Sequence, residues 1–292
     1  MNNYEKLEGM VAATFTPLDE NGDVNLSVID KYADWIASTP IKGVFVCGTT
    51  GEFSSLTIDE RKLILEKWLV SARKRFKVIA HVGSNCQRSA MELARHAAQV
   101  GADAIASIAP SFFKPGTVDE LVDFFAPICH SAAGLPFYYY NMPSITGVNL
   151  PVDKFLVEGK KKIPNLVGTK FTHNNLMEMG VCIELEQHRF EVLHGYDEIL
   201  ISGLAMGAVA GVGSTYNYIP NVYQAIFDSM KMNDLETARH NQIKSIRTVE
   251  VIIKYGGGVR GGKAIMKLIG IDCGSCRLPI KPRSEEHTSE LQ

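Results

Sequence analysis

KVIAHVGSNCQRSAMELARHAAQVGADAIASIA, residues 77–109, decides how the rest of the chain is read. It opens on an apolar run, Lys77–Val82, passes through a stretch of helical spacing, and closes on a second apolar run, Ala104–Ala109. Both runs are nearly continuous in apolar residues, the pattern of strands covered on both faces. Two such strands joined through a helix make a βαβ unit, and βαβ units build parallel sheets.

The same rhythm extends in both directions. Further runs lie at Gly9–Thr16, Gly43–Cys47, Pro136–Tyr140, Leu166–Phe171, Phe190–His194 and Ala208–Gly213, which makes eight. Between them, Ile58, Leu63, Ile64, Lys67, Trp68 and Ser71 recur at helical spacing, and Thr57 followed by Glu60 carries a capping-box signature for the start of that helix. Eight alternating units predict an α/β fold, a (β/α)₈ TIM barrel. A six-stranded doubly wound sheet with a separate helical domain accommodates the same runs and stays open at this level. From Val222 to about Gly270 the pattern is purely helical. The expected organisation is therefore a barrel core over 1–220, C-terminal helices over 221–282 packed on the barrel, and a polar tail over 283–292. That tail, RSEEHTSELQ, resembles the translation of a sequencing adaptor. It is read as non-native and set apart from the fold.

Composition removes several function classes. A formal charge of −2 over 292 residues, with scattered Lys and Arg, leaves no footprint for nucleic acid. Lys160, Lys161 and Lys162 are the longest basic run and read as a solvated helix end. No basic-then-apolar leader opens the chain and no apolar run reaches the ~18 residues of a membrane span, so a cytoplasmic protein with no membrane partner is expected. Cys273 and Cys276 form a CxxC without the second pair or nearby histidines that zinc would want, and read as reduced thiols in a loop. Gly257–Lys263 has Walker-like glycine–lysine spacing, but Ala264 stands where a Ser or Thr should hold Mg²⁺, and no strand precedes it.

In such a barrel the chemistry sits at the carboxyl ends of the strands. Those ends supply Gly48-Thr49-Thr50-Gly51-Glu52, Tyr140-Asn141, Lys170, Gly195-Tyr196-Asp197-Glu198 and Gly213-Ser214-Thr215. Lys170 interrupts the apolar strand Leu166–Phe171, and burial there disfavours the ammonium form and favours the amine that attacks a carbonyl. The bland alternative is a lysine that snorkels from a strand end. Tyr140 follows Tyr138 and Tyr139, and strand alternation turns Tyr138 and Tyr140 to one face. It reads as a proton shuttle beside an amine, or else as a packing tyrosine. The glycine-flanked Thr49-Thr50 turn offers hydroxyls and N–H groups to a carboxylate or phosphate.

These residues resemble the class I aldolases of the N-acetylneuraminate lyase / dihydrodipicolinate synthase family. The likeness runs from about Gly9 to Pro282 and rests on GTTGE at 48–52, YNMP at 140–143, Lys170, and KAIMKLIGID…RLP from Lys263, in the family's order. The resemblance implies that Lys170 forms the Schiff base, that Tyr140 is the acid/base phenol, and that Thr49 and Thr50 bind the carboxylate of a 2-oxo acid. It implies no metal and no organic cofactor, a small-molecule partner (sialic acid, pyruvate), and a homotetramer. Within the family, the synthase branch resembles YN(V)P followed by a small residue and an arginine for a second carboxylate, whereas this chain has Ile145 there. An apolar side chain cannot replace a bidentate guanidinium. The sialic acid lyase branch matches better. It implies that Thr172, Gly195, Asp197, Glu198 and Ser214 bind a polyhydroxyl tail, and that N-acetylneuraminate is cleaved to N-acetylmannosamine and pyruvate. For Asp197 and Glu198 an acidic pair at a helix N-terminus is the alternative. Another pyruvate-dependent aldolase of the family is the rival function, and a non-catalytic binding barrel fits less well because Lys170 and Tyr140 are both present. Many relatives carry a relay tyrosine on the loop after strand 4; here Phe112 and Phe113 stand there and are expected to pack instead.

Overall fold

Strands covered on both faces need helices on one side and neighbours on the other, and this chain supplies both by closing on itself. The computed structural model describes residues 4–132 and 134–281. The strands are β1 (Gly9–Ala13), β2 (Gly43–Val46), β3 (Lys77–His81), β4 (Ala104–Ile108), β5 (Phe137–Asn141), β6 (Leu166–Phe171), β7 (Glu191–His194) and β8 (Ala210–Gly213). They form a closed barrel in sequence order, β1 to β8. This is the (β/α)₈ barrel, and the closed order excludes the open six-stranded sheet. The helices are α1 (Val28–Ala37), α2 (Ile58–Ala72), α3 (Gln87–Val100), α4 (Val118–Ser131), α5 (Pro143–Thr146), α6 (Val152–Lys162), α7 (Leu176–Glu184), α8 (Leu200–Ala205), α9 (Pro220–Lys231), α10 (Leu235–Lys254) and α11 (Gly258–Leu268). The last three are the C-terminal helical region, with α10 packed along α9 and α11. The tail at 283–292 lies outside the described residues.

The chain divides into two compact units, residues 4–9, 79–196 and 202–212 in one and residues 10–78, 197–201 and 213–281 in the other. In the first, β5 pairs with β6 so that Tyr140 lies opposite Lys170, and β6 pairs with β7 so that Phe171 lies opposite His194. Alternation works as the Tyr138-Tyr139-Tyr140 run predicts. Tyr139 faces the helices, with ring centroids 5.5 Å from Phe125 and 4.7 Å from Phe155. Tyr138 turns the other way and donates to Glu191 at 2.9 Å. Gly168 lets the β6 and β7 backbones meet, since a Cβ on it would fall 1.9 Å from the Glu191 carbonyl oxygen.

In the second unit, Asn217 ties the strands to the helices. Its amide donates to the carbonyls of Ala13 and Ser214, both at 2.8 Å, and accepts from Tyr32 at 2.6 Å. Helix α2 begins with the predicted capping box: Glu60 N–H donates to Thr57 Oγ1 at 3.2 Å and Thr57 N–H to Glu60 Oε2 at 2.7 Å. Such a cap contributes about 1 kcal/mol. The inner face of α2 differs from the expected stripe. Leu63 is half exposed, and Arg61, Ile64, Leu65, Trp68, Ser71 and Ala72 are buried. The stripe passes through 61, 64/65, 68 and 71/72 at three- and four-residue steps, and Leu63 lies off it.

Candidate active site

The residues singled out by sequence fall into two groups, one in each unit. In the first group β6 carries Lys170 inward on the same face as Gly168. The side chain is 4% exposed, and its Nζ lies 4.0 Å from the centroid of the Tyr140 ring. An ammonium or amine on a ring face meets the negative side of the aromatic quadrupole. This lysine does not snorkel. Tyr140 is 2% exposed, and its hydroxyl donates to Met142 Sδ at 3.0 Å. A thioether is a weak acceptor, so this bond orients the phenol only weakly. His81, at the end of β3, stands edge-on to the same ring with centroids 5.9 Å apart and an interplanar angle of 84°. Gly83 makes room for that imidazole, because a Cβ there would fall 2.7 Å from His81 Nε2.

Thr172 follows Lys170 by two residues and is likewise buried. Its N–H donates to the Asn141 carbonyl at 2.8 Å, while its Oγ1 makes no hydrogen bond to the protein. Buried hydroxyls are nearly always satisfied, so this one is an exception that asks for a ligand. Gly195 is required beside it: a Cβ would fall 1.9 Å from Thr172 Oγ1.

In the second group the Gly48–Gly51 turn is shaped by packing. A Cβ on Gly48 would fall 2.7 Å from the Phe45 ring, and one on Gly51 would fall 3.1 Å from Cys47 Cα. Thr49 and Thr50 are half-buried on the turn, which closes with Glu52 N–H donating to the Thr49 carbonyl at 3.1 Å. Cys47 and Glu52 flank it with φ of 55° and 56°, left-handed values that non-glycine residues hold only when their surroundings fix them. Glu52 is fixed by a buried ion pair: Lys263 Nζ lies 2.7 Å from its Oε1, and Arg277 N–H donates to its Oε2 at 2.9 Å. Lys263, the lysine of the Walker-like stretch, therefore serves this carboxylate. Asp197 is buried, and its Oδ2 accepts from both the N–H of Thr215 (2.9 Å) and its hydroxyl (2.6 Å). Glu198 and Ser214 are half-buried neighbours on the 197–199 turn and after β8.

Among the described residues no group of three or more His, Cys, Asp or Glu side chains is placed to hold a metal ion. Cys273 and Cys276 are separate thiols. Burial pushes them up to about 12 and about 11, which keeps them protonated. Phe112 and Phe113 pack edge-to-face on one another at 5.0 Å and are otherwise exposed.

The model of the dihydrodipicolinate synthetase family matches residues 6–292. The chain belongs to this family. Among curated relatives, the N-acetylneuraminate lyase of Mus musculus is 42% identical over 99% of this chain and 91% of its own length. Among solved structures, the N-acetylneuraminate lyase of Proteus mirabilis superposes with a TM-score of 0.95 at 36% identity, covering 98% of this chain and 97% of the other. That of Aliivibrio salmonicida superposes with a TM-score of 0.95 at 38% identity, over 98% and 95%. Three further side chains gain a place at the site only through the fold. His81 and Met142 stand around Tyr140, and Lys263 pairs with Glu52 at the end of the threonine turn. Met142 and Lys263 were legible only as members of the YNMP and KAIMKLIGID motifs, and His81 only as a histidine that ends the apolar strand Lys77–His81.

Proposed function

We propose that this protein is a Schiff-base aldolase that cleaves N-acetylneuraminate to N-acetylmannosamine and pyruvate. The observation that carries the reading is the buried Lys170 amine lying on the face of the Tyr140 ring. Full-length relatives named N-acetylneuraminate lyase support the choice of substrate. The lysine attacks C2 of the open-chain 2-oxo acid and expels water as the imine forms. The protonated imine draws the electrons of the C3–C4 bond as that bond breaks, leaving an enamine on Lys170 and freeing the aldehyde of N-acetylmannosamine. Tyr140, assisted by the substrate carboxylate, takes the proton of the C4 hydroxyl and afterwards returns a proton to C3 of the enamine. Water then hydrolyses the imine, releasing pyruvate and restoring the amine.

On the family pattern Thr49 and Thr50 take the carboxylate, and Thr172, Gly195, Asp197, Glu198 and Ser214 take the polyol tail. The unbonded Thr172 hydroxyl supports its part in this. The chemistry needs no metal or organic cofactor, and a homotetramer belongs to the same proposal. Ile145 is exposed and apolar where the synthase branch uses an arginine, which disfavours condensation with a second carboxylate substrate. Values of kcat/KM on N-acetylneuraminate and on six-carbon 2-keto-3-deoxy acids test the assignment. The longer acid is expected to be preferred by at least about tenfold, because tail-binding groups left unpaired penalise the shorter one. Preference for the short acid, or condensation of pyruvate with aspartate semialdehyde, would overturn it.

A further inference from the structure

Two side chains of α10 reach the acidic turn at 197–201: Ser245, whose Oγ lies 3.5 Å from the Asp197 carbonyl, and Gln242, which is 4% exposed and makes the shorter bonds. Its Oε1 accepts the N–H of Ile201 at 2.9 Å, and its Nε2 donates to the carbonyl of Asp197 at 3.0 Å. In a regular helical turn that N–H and that carbonyl would be i and i−4 partners of each other. The amide of Gln242 stands in for that bond and satisfies both halves. Residues Asp197–Ile199 accordingly form a 3₁₀ turn ahead of α8 instead of its first α-helical turn. Nε2 also donates to Ser245 Oγ at 2.7 Å, which fixes the amide's orientation.

The side chain of Asp197 is fixed from the other direction. Its Oδ2 takes both donors of Thr215, and Thr215 Oγ1 lies 2.5 Å from the hydroxyl of Tyr223 on α9. A threonine hydroxyl has one proton. With that proton on Asp197, Tyr223 is the donor to Thr215, and the chain runs Tyr223 to Thr215 to Asp197. Gly213 keeps the space, since a Cβ on it would fall 1.8 Å from Asp197 Oδ1.

We infer that Gln242 is a positioning residue for substrate specificity: its inserted amide holds the Asp197–Glu198 turn open so that the pair can receive the polyhydroxyl tail. The inference rests on the tail-binding role proposed above for Asp197 and Glu198. It assigns the helices after the barrel a part in choosing the substrate, acting through the 197–201 turn and away from the lysine chemistry.

Gln242→Met keeps the length of the side chain and removes the amide. Gln242→Glu keeps the acceptor for Ile201 and loses the donor to Asp197. In both, KM for N-acetylneuraminate should rise by about tenfold or more while kcat changes by less than about threefold. The kcat/KM for a six-carbon 2-keto-3-deoxy acid should change by less than about threefold, and amide exchange at Ile201 should accelerate by about tenfold. Tyr223→Phe, which removes the α9 hydroxyl behind Thr215 and Asp197, should shift the long-substrate KM in the same direction. It carries the test if the Gln242 variants do not fold. Unchanged exchange at Ile201, an unchanged KM despite faster exchange, or equal losses on long and short acids would overturn the inference. Failure of the functional reading itself shows separately, in an unmodified enzyme that does not prefer the long acid.

Discussion

Lys263→Met should be among the more damaging single substitutions on the C-terminal side. The ammonium lies 2.7 Å from Glu52 Oε1 and donates to the Ser275 carbonyl at 2.9 Å, with the two side chains 3% and 2% exposed. Methionine fills most of the volume and removes the charge, leaving a buried carboxylate whose other partner is the N–H of Arg277. Breaking a buried pair from one side costs about 3–5 kcal/mol, most of it the desolvation of the charge left behind. Adding Glu52→Gln removes that charge and leaves an amide oxygen for the Arg277 N–H. The double variant should therefore lie only about 1–2 kcal/mol below the parent, near the value of the hydrogen bonds lost. Urea unfolding at neutral pH reads both numbers, and with a slope of about 3 kcal/mol per molar the single variant's midpoint falls by about 1 M or more. A single variant within about 1 kcal/mol of the parent, or a double variant no more stable than the single, would refute the reasoning.

Tyr140→Phe should lower kcat on N-acetylneuraminate by about 10²–10⁴-fold, as expected for lost general acid–base help, and steady-state kinetics near the parent's would remove the phenol from the mechanism. The side-chain hydrogen bond from Arg277 holds Glu60 down at about 2, below its ordinary 4.5, so the stability it contributes is present above pH 4.5 and is lost as the pH falls toward about 2. Glu60→Gln keeps a capping-box side chain and should flatten the fall of the urea midpoint across that window; an acid limb as steep as the parent's would contradict this. Hydrogen bonds from Ser89 lower the exposed Cys86 thiol, whereas burial raises those of Cys129 and Cys273, so iodoacetamide should label Cys86 first in the folded protein. Peptide mapping that finds Cys129 or Cys273 labelled ahead of it would count against the burial described.

Much of the fold was legible because a parallel barrel writes itself locally. Each strand is covered on both faces and reads as a short apolar run, and α2 announces its start through Thr57 and Glu60. The same capping rule, applied to Thr117 and Glu120, would have found the start of α4. The first strand is shorter than its apolar run, ending at Ala13. Thr14 and Thr16 follow Ala13 in sequence pattern, but the Thr16 hydroxyl donates to the Gly51 carbonyl at 2.8 Å as the chain leaves the ladder. Lys170 is visible as a charge in an apolar strand, and alternation puts Tyr140 on the face opposite Tyr139. What stayed hidden depends on partners distant in sequence. Nothing near Glu52 says that Lys263 neutralises it, and nothing near Asp197 says that Gln242 and Thr215 divide its backbone and carboxylate between them. Asp197 had two local readings, tail ligand or helix N-terminal charge, and the structure adds a third task that only the fold creates.

The central claim is that Lys170 is the nucleophile, and borohydride reduction in the presence of pyruvate tests it most directly. Reduction converts an imine into a stable secondary amine, so peptide mass spectrometry of the intact, folded enzyme after treatment shows which lysine carried the substrate. The account predicts one pyruvyl adduct per chain, on the peptide containing Lys170, and none in Lys170→Arg, whose guanidinium stays protonated and cannot attack. An adduct on Lys263, or a Lys170 peptide recovered unmodified, would contradict it.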